Sequence, residues 1–182
     1  MRLWHKDLIN VLPEQQLLSQ WKDCCTITKN IAVNGTPNHI LVNPVMDYPI
    51  EKDFCMYCLE VIDELGDRDL LNRRSINNWI NNINNATNDN AVESNGSFFR
   101  IKHFDRNYKI FYNWHNENYL TQCYYNLQEQ HDRGGISDED WDGINNKYNR
   151  LIILSEEKMA NVIIEANKNK IISIIKEIRS MK

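Results

Sequence analysis

One stretch near the start of the chain, residues 12–23, reads LPEQQLLSQWKD and contains the first strong helical pattern of the sequence. Its apolar residues, among them Leu17 and Trp21, recur at the spacing of one helix face. Pro13 suits a first helical turn, where the missing N–H of proline would have no partner in any case. The pattern therefore predicts a helix over about 12–29.

The polar face of this predicted helix carries a cation beside a carboxylate, Lys22 and Asp23, together with Gln15, Gln16 and Ser19. A cation, a carboxylate and the chain's first amine are groups that could do chemistry together. Charges on a helix face are more often simply solvated. From the pattern alone, the solvated interpretation is favoured.

Six residues of the stretch form a register: Leu12, Gln15, Leu17, Trp21, Lys22 and Asp23. This register resembles the pyrimidine-dimer DNA glycosylases, the endonuclease V type of phage and algal viruses. In that family an arm leads into a helix with a Leu-x-x-Gln-x-Leu pattern and then a hydrophobic-x-aromatic-Arg-Glu cluster. The opening MRLWHKDLI and the segment 39–65 are closer to an uncharacterised bacterial and phage branch, which is similar over 1–70 and more weakly over 114–136.

The resemblance implies a DNA glycosylase with associated abasic-site lyase activity on damaged or modified pyrimidines. It implies that the first amine, on Met1, attacks the sugar C1′ and forms a Schiff base, with Lys6 or Lys22 as alternative nucleophiles. A terminal amine ordinarily has a pKa of about 7.7–8.0, which leaves part of it unprotonated at neutral pH. Asp23 would stabilise the developing charge and move protons, and Lys22 would hold phosphate. The residues expected at the catalytic site are Met1, Arg2, Lys22 and Asp23. The implied partner is double-stranded DNA, and no cofactor or metal is expected.

Four departures from the family pattern qualify these roles. Arg2 stands where the family has a small, threonine-like residue, so Met1 is expected to stay and to move the amine about 3.8 Å along the chain. The carboxylate is Asp23 rather than Glu. Lys22 lacks the bidentate fork of Arg, and Thr26 occupies the position of a further family arginine. Together they suggest a different lesion or modified base.

Composition sets the class of protein. The chain has 182 residues and is 42% hydrophobic, enough for one domain with a core. Because it has no long apolar run and no signal-peptide pattern, we expect a cytoplasmic protein. Its five cysteines suit a reducing compartment. Cys55 and Cys58 with Cys24 and Cys25 form a possible zinc set, but their helical pattern favours small apolar core residues.

The net charge of −4 does not indicate nucleic-acid binding, but the charges are unevenly distributed. Segment 47–69 is strongly acidic and is expected to face away from DNA. Segment 98–109 mixes basic and aromatic residues, which suits phosphate contact and base stacking as well as an ordinary amphipathic hairpin. The residues predicted to bind DNA are Lys22, His39, Arg73, Arg74, Arg100, Lys102, His103, Arg106 and Lys109.

The whole pattern predicts an all-α fold: a compact helical single domain of about five helices, an irregular basic loop or short hairpin, and a long C-terminal helix. The later helices are expected over 50–65, ending at Gly66, then over 68–83, 116–130 and 137–181, the last with Ser137 as its N-cap, and a flexible loop is expected at 84–97. Residues 1–10 are expected to form an arm that Trp4, Leu8 and Ile9 hold on the core. We expect a glycosylase domain at 1–135 and a helical extension at 136–182. The extension either packs on that domain or forms a homodimer seam through 144–178.

Two other functions fit the same sequence. One is a non-catalytic DNA-binding module that kept the fold and lost the amine chemistry. The other is a helical interaction protein that dimerises through its isoleucine-rich C-terminal helix.

Overall fold

The computed structural model describes residues 1–87, 92–94, 99–101 and 108–180; residues 93–94, 99–101 and 171–180 are described by their secondary structure alone. The described residues form five α-helices: α1 (Glu14–Asn34), α2 (Cys55–Asp67), α3 (Arg73–Thr87), α4 (Glu117–Asp132) and α5 (Asp138–Ser180). Shorter helical turns precede them, two 3-10 helices at Lys6–Val11 and Asn43–Asp47 and a π-helical turn at Ile50–Phe54 that leads into α2. The predicted all-α class is confirmed.

Helix α1 is the central element, and it packs against both α2 and α3. It begins one residue after Pro13, which is its N-cap, and ends at Asn34. The next residue, Gly35, is the C-cap, and its φ of 69° is a left-handed conformation that glycine adopts without strain. Leu17 and Ile27 of its apolar stripe are fully buried. The helix was predicted correctly but runs five residues beyond the expected end, because the residues after Lys29 keep the helical pattern.

The junction between α2 and α3 differs from the prediction. Helix α2 passes through Gly66, and the chain turns instead at Asp69, whose φ is 58°. The N–H of Leu70 then donates to the Leu65 carbonyl (2.8 Å), which closes the helix end. Helix α3 starts at Arg73 rather than 68, because the Asn72 side chain accepts from the Ser75 N–H (3.1 Å) and caps it.

The hairpin follows α3. Strands β1 (Val92–Ser94) and β2 (Phe99–Ile101) pair antiparallel, with Glu93 opposite Arg100. Asn84 docks β1 on α3, because its side chain accepts from the Val92 N–H (2.9 Å) and donates to the Val92 carbonyl (2.8 Å). Half of the predicted loop at 84–97, and most of the basic-aromatic segment, lies outside the described residues. In the described half the predicted loop was wrong, because α3 continues to Thr87 and residues 92–94 pair as β1.

The chain divides into two compact units, Met1–Ile144 and Asn145–Lys182. Ser137 caps α5 as predicted, since its Oγ accepts from the Asp140 N–H (3.2 Å). In the second unit, Ile153, Val162 and Ile163 are among the exposed apolar side chains. Whether the extension packs on the rest of the chain or forms a dimer seam stays a prediction, as does the domain division after residue 135. Among the described helices, none is both long and apolar enough to cross a membrane.

Candidate functional site

A cavity of about 550 Å³ lies in the first unit, between the N-terminal arm, α1 and α4. Its size falls within the roughly 300–1,000 Å³ that is usual for ligand sites. The lining is mostly polar and comes from Met1, Arg2, Trp4, Gln15, Gln16, Ser19, Gln20, Asp23, Leu41, Asn126 and Gln130.

The N-terminal arm is held in place by hydrogen bonds between its backbone groups and the side chains of the helices. The Arg2 N–H donates to Asp23 Oδ2 (3.0 Å), and the Trp4 N–H donates to the buried Gln20 side chain (2.9 Å). The Tyr57 hydroxyl donates to the Trp4 carbonyl (2.8 Å), and the Tyr119 hydroxyl donates to the Leu3 carbonyl. Because both edges of the arm are bonded to α1, α2 and α4, the position of the first residues is fixed by the core.

A buried histidine pair continues this attachment. The rings of His5 and His115 stack with centroids 5.2 Å apart. His5 Nδ1 accepts from the Asp7 N–H (3.2 Å), so its Nε2 donates to the His115 carbonyl (2.9 Å), while His115 Nδ1 accepts from the Lys6 N–H (3.0 Å). Burial lowers the pKa of both histidines, that of His115 strongly, and thus keeps both rings neutral.

The charges around the cavity come from few groups. Asp23 is half-buried on α1, and the guanidinium of Arg2 lies over the Trp4 ring, 5.5 Å from its centroid. A cation over an indole face is a favourable contact that fixes the direction of the side chain. The site therefore combines one carboxylate, one guanidinium and the Met1 residue with a wall of neutral amides.

Three residues predicted from sequence to be catalytic meet at this cavity: Met1, Arg2 and Asp23 all line it. Lys22 is exposed, and neither it nor Lys6 is among the lining residues in the part of the chain that the structure describes. Lys6 instead pairs with Asp7. The structure thus separates Lys22 from its sequence neighbour Asp23, because adjacent residues on a helix point in different directions.

The residues predicted to bind DNA are only partly described. Lys22, Arg73, Arg74 and Lys109 are exposed, and His39 is half-buried in the segment that brings Leu41 to the cavity. Arg100 is in β2, where the backbone alone is described; Lys102, His103 and Arg106 lie outside the described residues.

The acidic segment 47–69 is not uniformly solvated. Asp53 is fully buried, where it accepts from the Phe111 N–H (2.6 Å) and the Tyr108 hydroxyl (2.6 Å). Burial raises the pKa of Glu60 to about 7, with nearby Lys6 opposing the shift. Asp53 therefore anchors the chain just after the hairpin, a role that its charge alone did not suggest.

The amide wall is the part of the site that the sequence did not identify. Gln16, Gln20 and Asp23 are spaced by four and three residues, so they share one face of α1. This spacing was a usable signal. Asn126 and Gln130 repeat the four-residue spacing on α4, but nothing in a single sequence indicates that α4 faces α1.

The family model for pyrimidine dimer DNA glycosylase matches residues 1–78. The resemblance predicted from the N-terminal residues is confirmed over this range, which includes the arm, α1 and α2 and ends inside α3. Asn126 and Gln130 lie outside it. No curated protein and no solved structure matches the chain.

Proposed function

We propose that this protein is a DNA glycosylase with associated abasic-site lyase activity, acting on damaged or modified pyrimidines in double-stranded DNA through a Schiff base on its first amine. One observation carries the proposal: the start of the chain and a carboxylate share a cavity, with the Arg2 nitrogen 3.0 Å from Asp23. The family match over residues 1–78 supports the glycosylase class.

The chemistry needs an amine and a group that moves protons. The unprotonated amine attacks C1′ of the deoxyribose, and the bond from C1′ to the base breaks, so that the base leaves with the electron pair and takes up a proton. The amine nitrogen then loses a proton to Asp23, and Asp23 gives this proton to the ring oxygen as the C1′–O4′ bond breaks, which leaves a hydroxyl on C4′ and the iminium at C1′. Removal of a C2′ proton expels the 3′ phosphate, and water finally releases the sugar from the amine.

The arm supports this chemistry by fixing where the amine lies. Well-oriented reacting groups gain a large part of the rate acceleration before the reaction begins. If the chain starts at Met1, its amine is one residue before the Arg2 nitrogen that donates a hydrogen bond to Asp23. If the chain starts at Arg2, that nitrogen is itself the amine. The proposal thus includes that one of these two residues is first in the cell, which the intact mass of the purified protein tests.

Arg2 takes over the phosphate role that the resemblance gave to Lys22. Its guanidinium lies at the cavity, over Trp4, whereas Lys22 is exposed elsewhere on α1. A guanidinium also binds phosphate with two parallel hydrogen bonds, which an ammonium cannot do.

Borohydride trapping tests the reaction. The wild-type protein should become covalently linked to duplex DNA that contains an abasic site, with the sugar on the N-terminal peptide. Asp23→Asn should abolish turnover, while Asp67→Asn, an exposed acid on α2, should leave it unchanged. Wild-type protein that forms no adduct would exclude the enzyme, and an adduct mapped to Lys6 or Lys22 would exclude the terminal amine.

A second candidate function rests on a separate observation, the exposed Met159, Val162 and Ile163 of α5, which are spaced by three and four residues and share one helix face. Apolar residues at helical spacing are the usual seam of a helical dimer. We propose that α5 supports self-association through 144–178. Sedimentation should then give a dimer that truncation after Asn169 converts to a monomer; a monomeric full-length chain would exclude it.

A further inference from the structure

A turn at residues 36–43 carries two exposed apolar side chains beside the cavity. Ile40 is 83% exposed and Leu41 is 49% exposed, and Leu41 lines the same cavity as Met1 and Asp23. We call Ile40 and Leu41 the tip. Single exposed apolar residues are common on protein surfaces, so the exposure of the tip alone indicates no function. Its place beside the candidate reaction site and the rigidity of its turn do.

The tip is held in one conformation by hydrogen bonds around His39. The His39 carbonyl accepts from the Asn43 N–H (2.9 Å), and the His39 N–H donates to Asn43 Oδ1 (3.2 Å). The Leu41 N–H donates to His39 Nδ1 (3.3 Å). Asn30 Nδ2 donates to the Pro37 carbonyl (2.9 Å), which joins the start of the turn to α1. Because the turn is already ordered, covering the tip with a partner costs little conformational entropy.

The charges near the turn suit a polyanion. Residues 24–46 contain no Asp or Glu, although the whole chain has 25 acids and a net charge of −4. On α1, Lys22, Thr26 and Lys29 are exposed and are spaced by four and three residues, so they share one face of the helix. Lysines without nearby acids attract a phosphate backbone, whereas the tip needs an apolar environment. Duplex DNA offers both, with phosphates outside and stacked bases inside.

We propose that the tip is a wedge that enters the base stack of duplex DNA, next to the nucleotide whose sugar reaches Asp23. Ile and Leu are among the side chains that proteins insert between base steps, which unstacks the step in part and bends the duplex by about 20–90°. A wedge fixed beside the cavity holds the opened step apart while the sugar reacts. The inference rests on the proposed function and assigns to it the residues that open the duplex.

The fluorescence of 2-aminopurine tests the wedge without any catalysis. This base, which fluoresces more strongly when it is unstacked, is placed in a duplex beside a tetrahydrofuran analogue of an abasic site. Wild-type protein should raise the fluorescence on binding. Ile40→Ala removes three carbon atoms from the wedge, and burial of each contributes about fourfold to binding. We therefore expect the variant to bind this duplex about 10–50-fold more weakly and, at saturation, to give a smaller rise.

Two further variants and a second substrate separate the wedge from a structural role. Leu71→Ala removes the same number of carbon atoms from a side chain that is 45% exposed between α2 and α3, and it should behave as wild type. Ile40→Leu keeps the apolar volume and should keep the rise. Cleavage by Ile40→Ala should be impaired on a duplex with one abasic site. On a single strand with the same site it should stay within about threefold of wild type, because no paired step has to be opened there.

The outcomes distinguish the wedge from the proposed enzyme. A rise that Ile40→Ala loses supports the wedge, even where wild-type protein forms no borohydride adduct and the enzyme is thereby excluded. Wild-type protein that forms the adduct but raises no fluorescence would overturn the wedge and keep the enzyme. An equal rise for both proteins, or an equal loss of cleavage on duplex and single strand, would also overturn the wedge. An unchanged rise with altered sedimentation of free Ile40→Ala would assign the tip to contact with a second copy of the chain instead.

Discussion

Tyr57→Phe tests whether the core holds the N-terminal arm in place. Tyr57 is fully buried, and its hydroxyl donates to the Trp4 carbonyl at 2.8 Å. The substitution removes one oxygen and leaves the ring, so the packing of α2 is preserved. The Trp4 carbonyl is then buried without this donor, which costs about 1–3 kcal/mol. For a chain of this length, each kcal/mol corresponds to about 2–4 °C in Tm.

Urea unfolding gives the free energy, and Tyr125→Phe is the matched control. Tyr125 lies on α4 and is 59% exposed, so the same loss of a hydroxyl should change stability by less than about 0.5 kcal/mol. The buried variant should also form the borohydride-trapped adduct more slowly while still folded, because a displacement of about 1 Å at a reacting group can cost about 100-fold. Equal unfolding free energies for the two variants would refute the reasoning that the hydroxyl fastens the arm.

Three other perturbations have defined outcomes. Asp53→Ala removes the acceptor of two donors, one of them a buried N–H, and should cost about 3 kcal/mol in urea, against less than about 0.5 kcal/mol for the exposed Asp67→Ala; similar costs would contradict the anchor role. Glu60→Gln should make the unfolding free energy fall more steeply from pH 7 to pH 5. Burial lowers the pKa of His115 below its ordinary 6.5, so the contribution of the neutral ring to the free energy of unfolding is complete above that pH and is lost on acidification. The pKa of Glu60 is raised to about 7, so the contribution of this carboxyl to the free energy of unfolding increases as the pH falls from 7. An unchanged dependence of the unfolding free energy on pH would contradict this balance. Arg73→Ala and Arg74→Ala should each weaken DNA binding alike for all sequences and reduce the salt slope by about one, and sequence-dependent losses would count against phosphate contact.

The sequence was informative where local chemistry settles the structure. The α1 stripe, the Ser137 cap and the anchoring of the arm by Trp4 and Leu8 follow from periodicity, capping and burial, and the structure has them. The α2–α3 junction was mislocated because glycine is the commoner stop signal. Here an aspartate adopts the left-handed conformation instead, and Asn72 supplies the next cap.

At the site, adjacency in the sequence did not give adjacency at the cavity. Lys22 and Asp23 are neighbours in the chain, yet about 100° of helical rotation separates them, and only Asp23 reaches the cavity. Arg2 departs from the family pattern, and its guanidinium lies at the cavity, which Lys22 does not line. The α4 wall depends on a contact between residues more than a hundred positions apart, as in the bond from Gln16 to Gln130. The periodicity of the sequence indicates that Gln16 and Gln130 lie off the apolar stripes of their helices. Only the three-dimensional structure shows that the two side chains form one surface.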